Sequence, residues 1–151
     1  MMGNIWFFLA ICLIALACNP AKESPITDLQ PAAKAVSNPN GDSELALLMR
    51  AMTVYMEQAK DSLEQGKGIP GCPEEFKRLT EATETEGMIK DRNHFNAYAE
   101  QWLSDLDQVC QSKGKGQLQA YERLRTSCLN CHQSYCQGPI PKIQRLTVQN
   151  P

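Results

Sequence analysis

Apolar residues recur at steps of three and four along most of the chain beyond residue 42, which is the spacing of one face of an α-helix. The first apolar stripe follows Asp42 and Ser43, either of which can cap a helix, and it ends before the glycine-rich stretch 66–71. A second stripe is short and rich in threonine, and it begins at Pro73 and fades near Gly87. Two amphipathic helices are therefore predicted in this part of the chain.

Two further stripes follow. The third predicted helix is capped by Asp91 and is broken by the Ser-Lys-Gly-Lys-Gly sequence of residues 112–116. The fourth runs from Gln117 to the Gly-Pro pair at residues 138 and 139. The apolar and aromatic positions of all four stripes form the predicted core: Leu45, Leu48, Met49, Met52, Met56, Ala59, Leu63, Phe76, Leu79, Phe95, Ala99, Trp102, Leu106, Val109, Leu118, Tyr121, Leu124, Cys128, Cys131 and Tyr135.

The pattern contains no segment that alternates convincingly between apolar and polar residues with a period of two, so the prediction is an all-α protein. Four amphipathic helices joined by short loops favour an up-down-up-down four-helix bundle, which we expect over residues 43–138. Residues 139–151 are expected to form a C-terminal tail.

The chain begins with a predicted targeting segment. Residues 5–18 form a continuous apolar run that is too short to span a bilayer and matches the apolar region of a secretory signal peptide. The run ends in Ala-Leu-Ala-Cys, which resembles the lipobox of bacterial lipoproteins, although no Lys or Arg precedes it. We predict a signal peptide over residues 1–17 and an acylated Cys18 that anchors the protein to a membrane. The alternative is an ordinary signal peptide that is cleaved nearby, so that Cys18 is lost or has no role. Four prolines make residues 18–42 a semi-extended tether.

Charge and cysteine content narrow the class of function. A formal net charge of −2 argues against a nucleic-acid-binding protein, which would carry a basic stripe. Seven cysteines are many for a cytosolic protein of 151 residues, and they indicate export, a metal or a cofactor.

Residues 128–132 read Cys-Leu-Asn-Cys-His, the motif that attaches c-type haem. Thiols three residues apart on a helix share one face, so Cys128 and Cys131 can add to the two vinyl groups of one porphyrin. The adjacent imidazole of His132 is then the proximal ligand of the iron. The sequence thus predicts one covalently bound haem c.

Two other kinds of site use similar motifs. A structural zinc site needs four ligands, usually from two such pairs, and here Cys136 is the one nearby addition. A thioredoxin-like pair lies where a strand meets a helix, whereas predicted helix precedes Cys128. A structural lipoprotein held together by zinc or disulfides remains the alternative if haem is absent.

A helical bundle with this motif in its last helix resembles the class II c-type cytochromes, the cytochrome c′ family. The residues that match the family motif are Cys128, Cys131, His132 and Tyr135, while Cys136 stands where the family has an arginine beside the proximal face of the haem. The resemblance extends over residues 43–137 as an arrangement of helices. It implies a haem-binding four-helix bundle that is often dimeric.

A sixth ligand of the iron has to come from upstream, because 19 residues follow His132 and none is Met or His. In an up-down bundle the start of the first helix lies level with His132. This selects four residues for the distal wall: Leu45, Leu48, Met49 and Met52. Met49 is the first candidate ligand and Met52 the second, whereas a leucine would leave five-coordinate iron with an open, apolar site for NO or CO. Met88 and His94 also flank this end of the bundle.

Three cysteines after residue 42 lie outside the motif. Cys72 precedes the second predicted helix and Cys110 ends the third, both at the end of the bundle away from the haem. A disulfide between them would suit an exported protein and would leave Cys136 as an odd thiol. Three reduced cysteines are the alternative.

These features predict an exported, lipid-anchored monohaem cytochrome that transfers single electrons on the periplasmic side of a bacterial membrane. Capture of NO or CO is the alternative function. No enzyme is expected, since no acid–base pair or second cofactor motif accompanies the haem motif. The sequence does not specify the redox partner protein, and a homodimer is compatible with the resemblance without an identified dimer face.

Overall fold

Three long α-helices dominate the part of the chain that the structure describes. The structure is a computed structural model that describes residues 41–149, and no strand occurs among them, so the all-α prediction is confirmed. The predicted signal peptide, the acylated Cys18 and nearly all of the predicted tether lie outside these residues. Between residues 41 and 149, none of the helices is both long and apolar enough to cross a membrane. In chain order the elements are α1 (Glu44–Glu64), a 3-10 helix (Glu74–Thr80), α2 (Arg92–Gln111), α3 (Lys115–Tyr135) and α4 (Ile140–Gln144).

Side-chain caps determine where α1 and α2 begin. The Ser43 hydroxyl accepts a hydrogen bond from the amide three residues further on at 3.2 Å, and the Asp91 carboxylate does the same at 3.1 Å. Each cap satisfies an N–H group that a helix start leaves without an intrahelical partner. Both residues match the predicted caps. α3 begins at Lys115 rather than at the predicted Gln117, because Gly114 adopts a φ of 56° and turns the chain directly into the helix.

The second predicted helix differs in type and length. A 3-10 helix of seven residues, Glu74–Thr80, stands where an amphipathic α-helix was expected over residues 73–87. Beyond it the backbone bonds to the first turn of α1. Leu45 N–H donates to the Thr83 carbonyl at 2.9 Å, and Thr83 N–H donates to the Glu44 carboxylate at 3.0 Å. Threonine has low helix propensity, so these tertiary bonds decide the local conformation.

The core lies between the helices and contains most of the predicted apolar positions. α2 packs mainly against α3, and the 3-10 helix packs against α1 and α2. Six predicted core residues are only half-buried. Met49, Cys128, Cys131 and Tyr135 line a cavity, whereas Leu63 and Leu118 pack against the core without lining it. The buried cluster consists of Leu45, Leu48, Met52, Tyr55, Met56, Ala59, Phe76, Leu79, Ala82, Phe95, Ala99, Trp102, Leu106, Val109, Ala120, Tyr121, Leu124, Leu146 and Val148.

The predicted C-terminal tail belongs to the folded domain. It forms α4, and three of its apolar side chains, Ile143, Leu146 and Val148, are at most 8% exposed. The Gln149 amide donates to the Glu64 carboxylate at 2.7 Å, which joins this segment to the end of α1. The domain therefore continues past the boundary that was predicted from the Gly-Pro pair.

Tyr121 joins α3 to α1 and to the C-terminal segment. Its side chain is fully buried, and its hydroxyl lies 2.7 Å from the Leu146 carbonyl and 3.2 Å from the Met56 carbonyl. Burial, and secondarily the Glu122 carboxylate, raises the pKa of Tyr121 far above its usual value. The hydroxyl therefore stays protonated and donates to backbone groups from two other parts of the chain.

A disulfide joins Cys72, just before the 3-10 helix, to Cys110 at the end of α2, with 6.0 Å between their Cα atoms. This is the pairing expected from the sequence, and the alternative of reduced thiols at these two positions is not what the structure contains. The Tyr55 hydroxyl lies 3.6 Å from Cys72 Sγ and extends the contact to α1. The covalent link therefore holds the loop that follows α1 against α2.

We expect Tyr121→Phe to lower the free energy of unfolding by about 1–3 kcal/mol, because it removes a buried donor and leaves the Leu146 carbonyl without it. Urea-induced unfolding measures this change. Tyr98→Phe is the matched control, since the Tyr98 hydroxyl contacts Ser134 at the exposed surface, and we expect a loss below about 0.5 kcal/mol. Equal losses in the two variants would contradict the role assigned to Tyr121.

Candidate functional site

A cavity of about 780 Å³ opens beside the C-terminal end of α3. Its size is in the range of small-molecule and cofactor sites, and most of its wall is apolar. Seven of the predicted site residues line it: Leu45, Met49, Met52, Cys128, Cys131, His132 and Tyr135. Leu48 does not line it and lies in the core at 8% exposure. Residues predicted from α1 and from the end of α3 thus line one cavity.

α3 carries the cysteine motif on its last two turns. Cys128 and Cys131 are both half-buried and line the same cavity as His132, as three- and four-residue spacings on a helix require. The helix ends just after the motif, where the Cys136 amide donates to the His132 carbonyl at 3.1 Å. Cys136 is half-buried and also lines the cavity. The motif is therefore presented by regular helix rather than by a loop.

A hydrogen bond orients the imidazole of His132. Its Nδ1 lies 2.9 Å from the Cys136 carbonyl oxygen. A carbonyl oxygen can only accept, so Nδ1 carries the proton and donates. In the neutral ring the lone pair then belongs to Nε2, the arrangement that a metal-ligating histidine uses. The backbone at the end of α3 thus prepares His132 to act as a ligand through Nε2.

Burial makes the two thiols of the motif weak acids. It raises the pKa of the Cys128 and Cys131 thiols from an ordinary value near 9 to about 11. At Cys128 the indole N–H of Trp102, 3.1 Å from Sγ, offsets part of this effect. Both thiols are therefore protonated at neutral pH. Among residues 41–149, no group of three or more Cys, His, Asp or Glu side chains is placed to hold a metal ion.

Methionines from α1 form part of the opposite wall of the cavity. Met49 is half-buried, Met52 is 6% exposed and Met56 is 1% exposed. Met49 and Met52 also line a second, smaller cavity of about 30 Å³ together with His132, whereas Met56 does not. Met88, from the loop before α2, lines the large cavity only. The two methionines selected from the sequence are therefore the ones that share both cavities with His132.

Charged side chains lie at the edge of the cavity, and sequence reasoning missed them. Arg50 and Lys142 line it and are paired with surface carboxylates, Arg50 with Asp42 at 2.5 Å and Lys142 with a glutamate of α1 at 3.1 Å. Glu84 also lines it and is paired with Arg92, whose second terminal nitrogen is buried without a hydrogen-bond partner. The ion pairs of Arg50 and Lys142 are exposed and therefore weak, so these two side chains can turn to a carboxylate of a bound ligand.

His94 lies outside the cavity. It is exposed on the first turn of α2, and its Nδ1 lies 3.0 Å from the Tyr135 hydroxyl. The Tyr135 ring also packs edge-on against Phe95 at 5.7 Å between ring centroids, and both of these aromatic residues line the cavity. Tyr135 therefore separates His94 from the cavity, which leaves His94 poorly placed to be a ligand.

The buried thiols give a measurable prediction. In chain produced without haem, alkylation of Cys128 and Cys131 by iodoacetamide at pH 8 should be about 100-fold slower in the folded than in the urea-unfolded state, because two pKa units reduce the thiolate fraction by that factor. The folded-state rate should rise with pH until about pH 11, where half of each thiol is ionised. Mass spectrometry of the labelled peptides measures both rates. Equal rates in the two states would contradict the burial of the motif.

No protein-family model, no curated protein sequence and no solved structure matches the chain. The chemistry of the site has to be inferred from the residues that form it. These are two thiols and an oriented imidazole on one helix, two methionines on the facing helix, an apolar cavity between them and cations at its edge.

Proposed function

We propose that the chain is an exported c-type cytochrome that binds one haem covalently and carries single electrons. The observation that carries the proposal is the placement of Cys128, Cys131 and His132 on one wall of an apolar cavity with methionines on the facing wall. On this proposal, the arrangement would supply two attachment points, a proximal ligand and candidates for a sixth ligand.

The residues of the cavity fit a haem on three independent grounds. The two thiols and the imidazole lie on one side of a single cavity, as attachment and ligation of one porphyrin need. The wall is mainly apolar and the volume is in the range of cofactor sites. Arg50 and Lys142 lie at its edge, where two carboxylates of a ligand would meet cations. A bound haem would supply one-electron oxidation and reduction of its iron.

Each protein group has a separate task in this proposal. Cys128 and Cys131 would hold the porphyrin through thioethers, so the protein would keep it in a dilute compartment. His132 would ligate through Nε2, while its Nδ1–H remains bonded to the backbone and keeps the ring from rotating. Met49 or Met52 would close the opposite side with a thioether sulfur. Keeping the same ligands in both oxidation states favours electron transfer over the binding of a gas.

The arrangement of helices is part of the proposal. α1, α2 and α3 would correspond to three members of a cytochrome c′-like bundle, with the 3-10 helix in the place of the fourth. Cys136 stands where the family has an arginine beside the haem, so the proximal chemistry of that family is not carried over to this chain.

Export and membrane anchoring are proposals about residues outside the described range. The disulfide between Cys72 and Cys110 supports export, because such bonds persist in oxidising compartments. Acylation of Cys18 would then hold the domain at the periplasmic side of the membrane through the proline-containing segment that follows it. A redox partner protein would meet it there.

Covalent attachment is the first test of this function. Protein made with a cytochrome c maturation system should keep its red colour through acid–acetone extraction, because thioether bonds do not dissociate. The double variant Cys128→Ala, Cys131→Ala should release the colour, and the absorbance of the extract measures the loss. Colour that washes out of the wild type, or stoichiometric zinc in its place, would refute the proposal.

The sixth ligand decides between electron transfer and gas binding. The wild-type ferrous protein should be low-spin, with sharp α and β bands and slow or absent binding of CO. Met49→Leu should make it high-spin and reactive with CO, since a leucine side chain has no sulfur to donate. Met52→Leu tests the second candidate, and absorbance spectroscopy is the readout for each variant.

Met56→Leu is the matched control for the sixth ligand. His132 lines both cavities, as Met49 and Met52 do, whereas Met56 lines only the large one. The Met56→Leu variant should therefore keep the wild-type spectrum. A wild-type protein that is already high-spin and binds CO rapidly would refute methionine ligation and favour capture of NO or CO, with Leu45 in the distal wall.

A further inference from the structure

Trp102 contacts the haem motif from the side opposite to solvent. It lies on α2, is 3% exposed and directs its indole N–H to Cys128 Sγ at 3.1 Å. The Trp102 ring packs edge-on against Phe76 at 5.8 Å between centroids, and Phe76 packs in the same way against Tyr55 at 5.6 Å. This row of three rings fixes the orientation of the indole, so the N–H direction is determined by packing.

A sulfur atom, Cys128 Sγ, is an unusual acceptor for the indole N–H of Trp102. A buried indole needs a hydrogen-bond acceptor, and sulfur is a weak one. A stronger acceptor, the buried carboxylate of Asp105, lies one turn further along α2, but its Oδ2 already accepts hydrogen bonds from Ser127 and from Gln101. Ser127 directly precedes Cys128. This oxygen of Asp105 is therefore already paired with two other side chains, and the N–H of Trp102 donates to the sulfur instead.

We propose that Trp102 is a positioning residue that raises the reduction potential of the bound haem through its hydrogen bond to the Cys128 sulfur. The inference rests on the proposed function. A thioether sulfur keeps its lone pairs, so the N–H can still donate to it after attachment. The hydrogen bond would then draw electron density from the sulfur that is bonded to the porphyrin, in a buried environment of low dielectric constant, and would so favour the state with one more electron.

The test is the midpoint potential of haem-loaded protein carrying Trp102→Phe, which removes the donor and keeps an aromatic ring. We expect a potential lower than that of the wild type, with the haem content unchanged. Tyr55→Phe is the matched control, because it removes a donor from the same row of rings whose partner is the disulfide sulfur of Cys72 instead. Its potential should equal that of the wild type.

A double-mutant cycle separates this hydrogen bond from a general effect on packing. In a Cys128→Ala background, where Cys131 alone holds the haem, Trp102→Phe should no longer shift the potential. A persisting shift in that background would overturn the inference, as would equal potentials of haem-loaded wild type and Trp102→Phe. Wild-type protein without covalent haem would refute the proposed function itself, which is a distinguishable outcome.

A measurement on the wild type covers the case in which Trp102→Phe does not fold. The chain has two tryptophans, and the other, Trp6, lies in the predicted signal peptide. The processed, haem-loaded ferrous protein should therefore give one indole N–H signal in its NMR spectrum. We expect that proton to exchange with solvent far more slowly than in the unfolded chain. Exchange at the unfolded rate would overturn the hydrogen bond and with it the inference.

Discussion

The packing of α3 is the constraint on which the rest of the structure depends, because this one helix completes the core at its start and carries the cysteine motif at its end. Within α3, Tyr121 and Leu124 are fully buried, whereas the residues from Cys128 to Tyr135 are half-buried or exposed and face a cavity or solvent. The change occurs within one turn, at Ser127. Any shift of α3 along its axis would therefore disturb the buried hydroxyl of Tyr121 and the cavity wall together. The core and the cavity wall therefore depend on the same position of α3.

The cavity leaves apolar surface only partly covered, which a well-packed interior avoids. Filling it with a flat, apolar ligand would complete packing between α1 and the end of α3, so the free energy of unfolding of this domain should depend on its occupancy. Without any ligand, the disulfide already holds the loop after α1 against α2, and the Tyr121 hydroxyl joins α3 to the backbone of Met56 and Leu146 beside the cavity. A bound ligand would therefore add to a fold that contacts within the protein already hold together.

The sequence predicted the helices whose apolar stripes are long, together with the caps at Ser43 and Asp91, because these features depend on local periodicity and on single side chains. It failed where distant contacts decide the conformation. The threonine-rich segment bonds to the first turn of α1 instead of forming a helix, and the segment after the Gly-Pro pair returns to the core. Periodicity also could not tell core residues from cavity residues. Leu48 lies in the core and Met49, one helical step of 100° further on, lines the cavity, yet both belong to the same apolar stripe. No local sequence pattern indicates that Arg50 and Lys142 lie at the cavity.

The burial of Cys128 under the indole of Trp102 has a consequence for the order of assembly. Cys128 lines the cavity, but its thiol is protonated and accepts a hydrogen bond from a packed indole, so it is a poor nucleophile in the folded domain. On the proposed function, attachment of the haem would therefore be faster while the end of α3 is still unstructured. Closure of α2 onto α3 would then follow attachment, and a chain that folded first would be modified slowly.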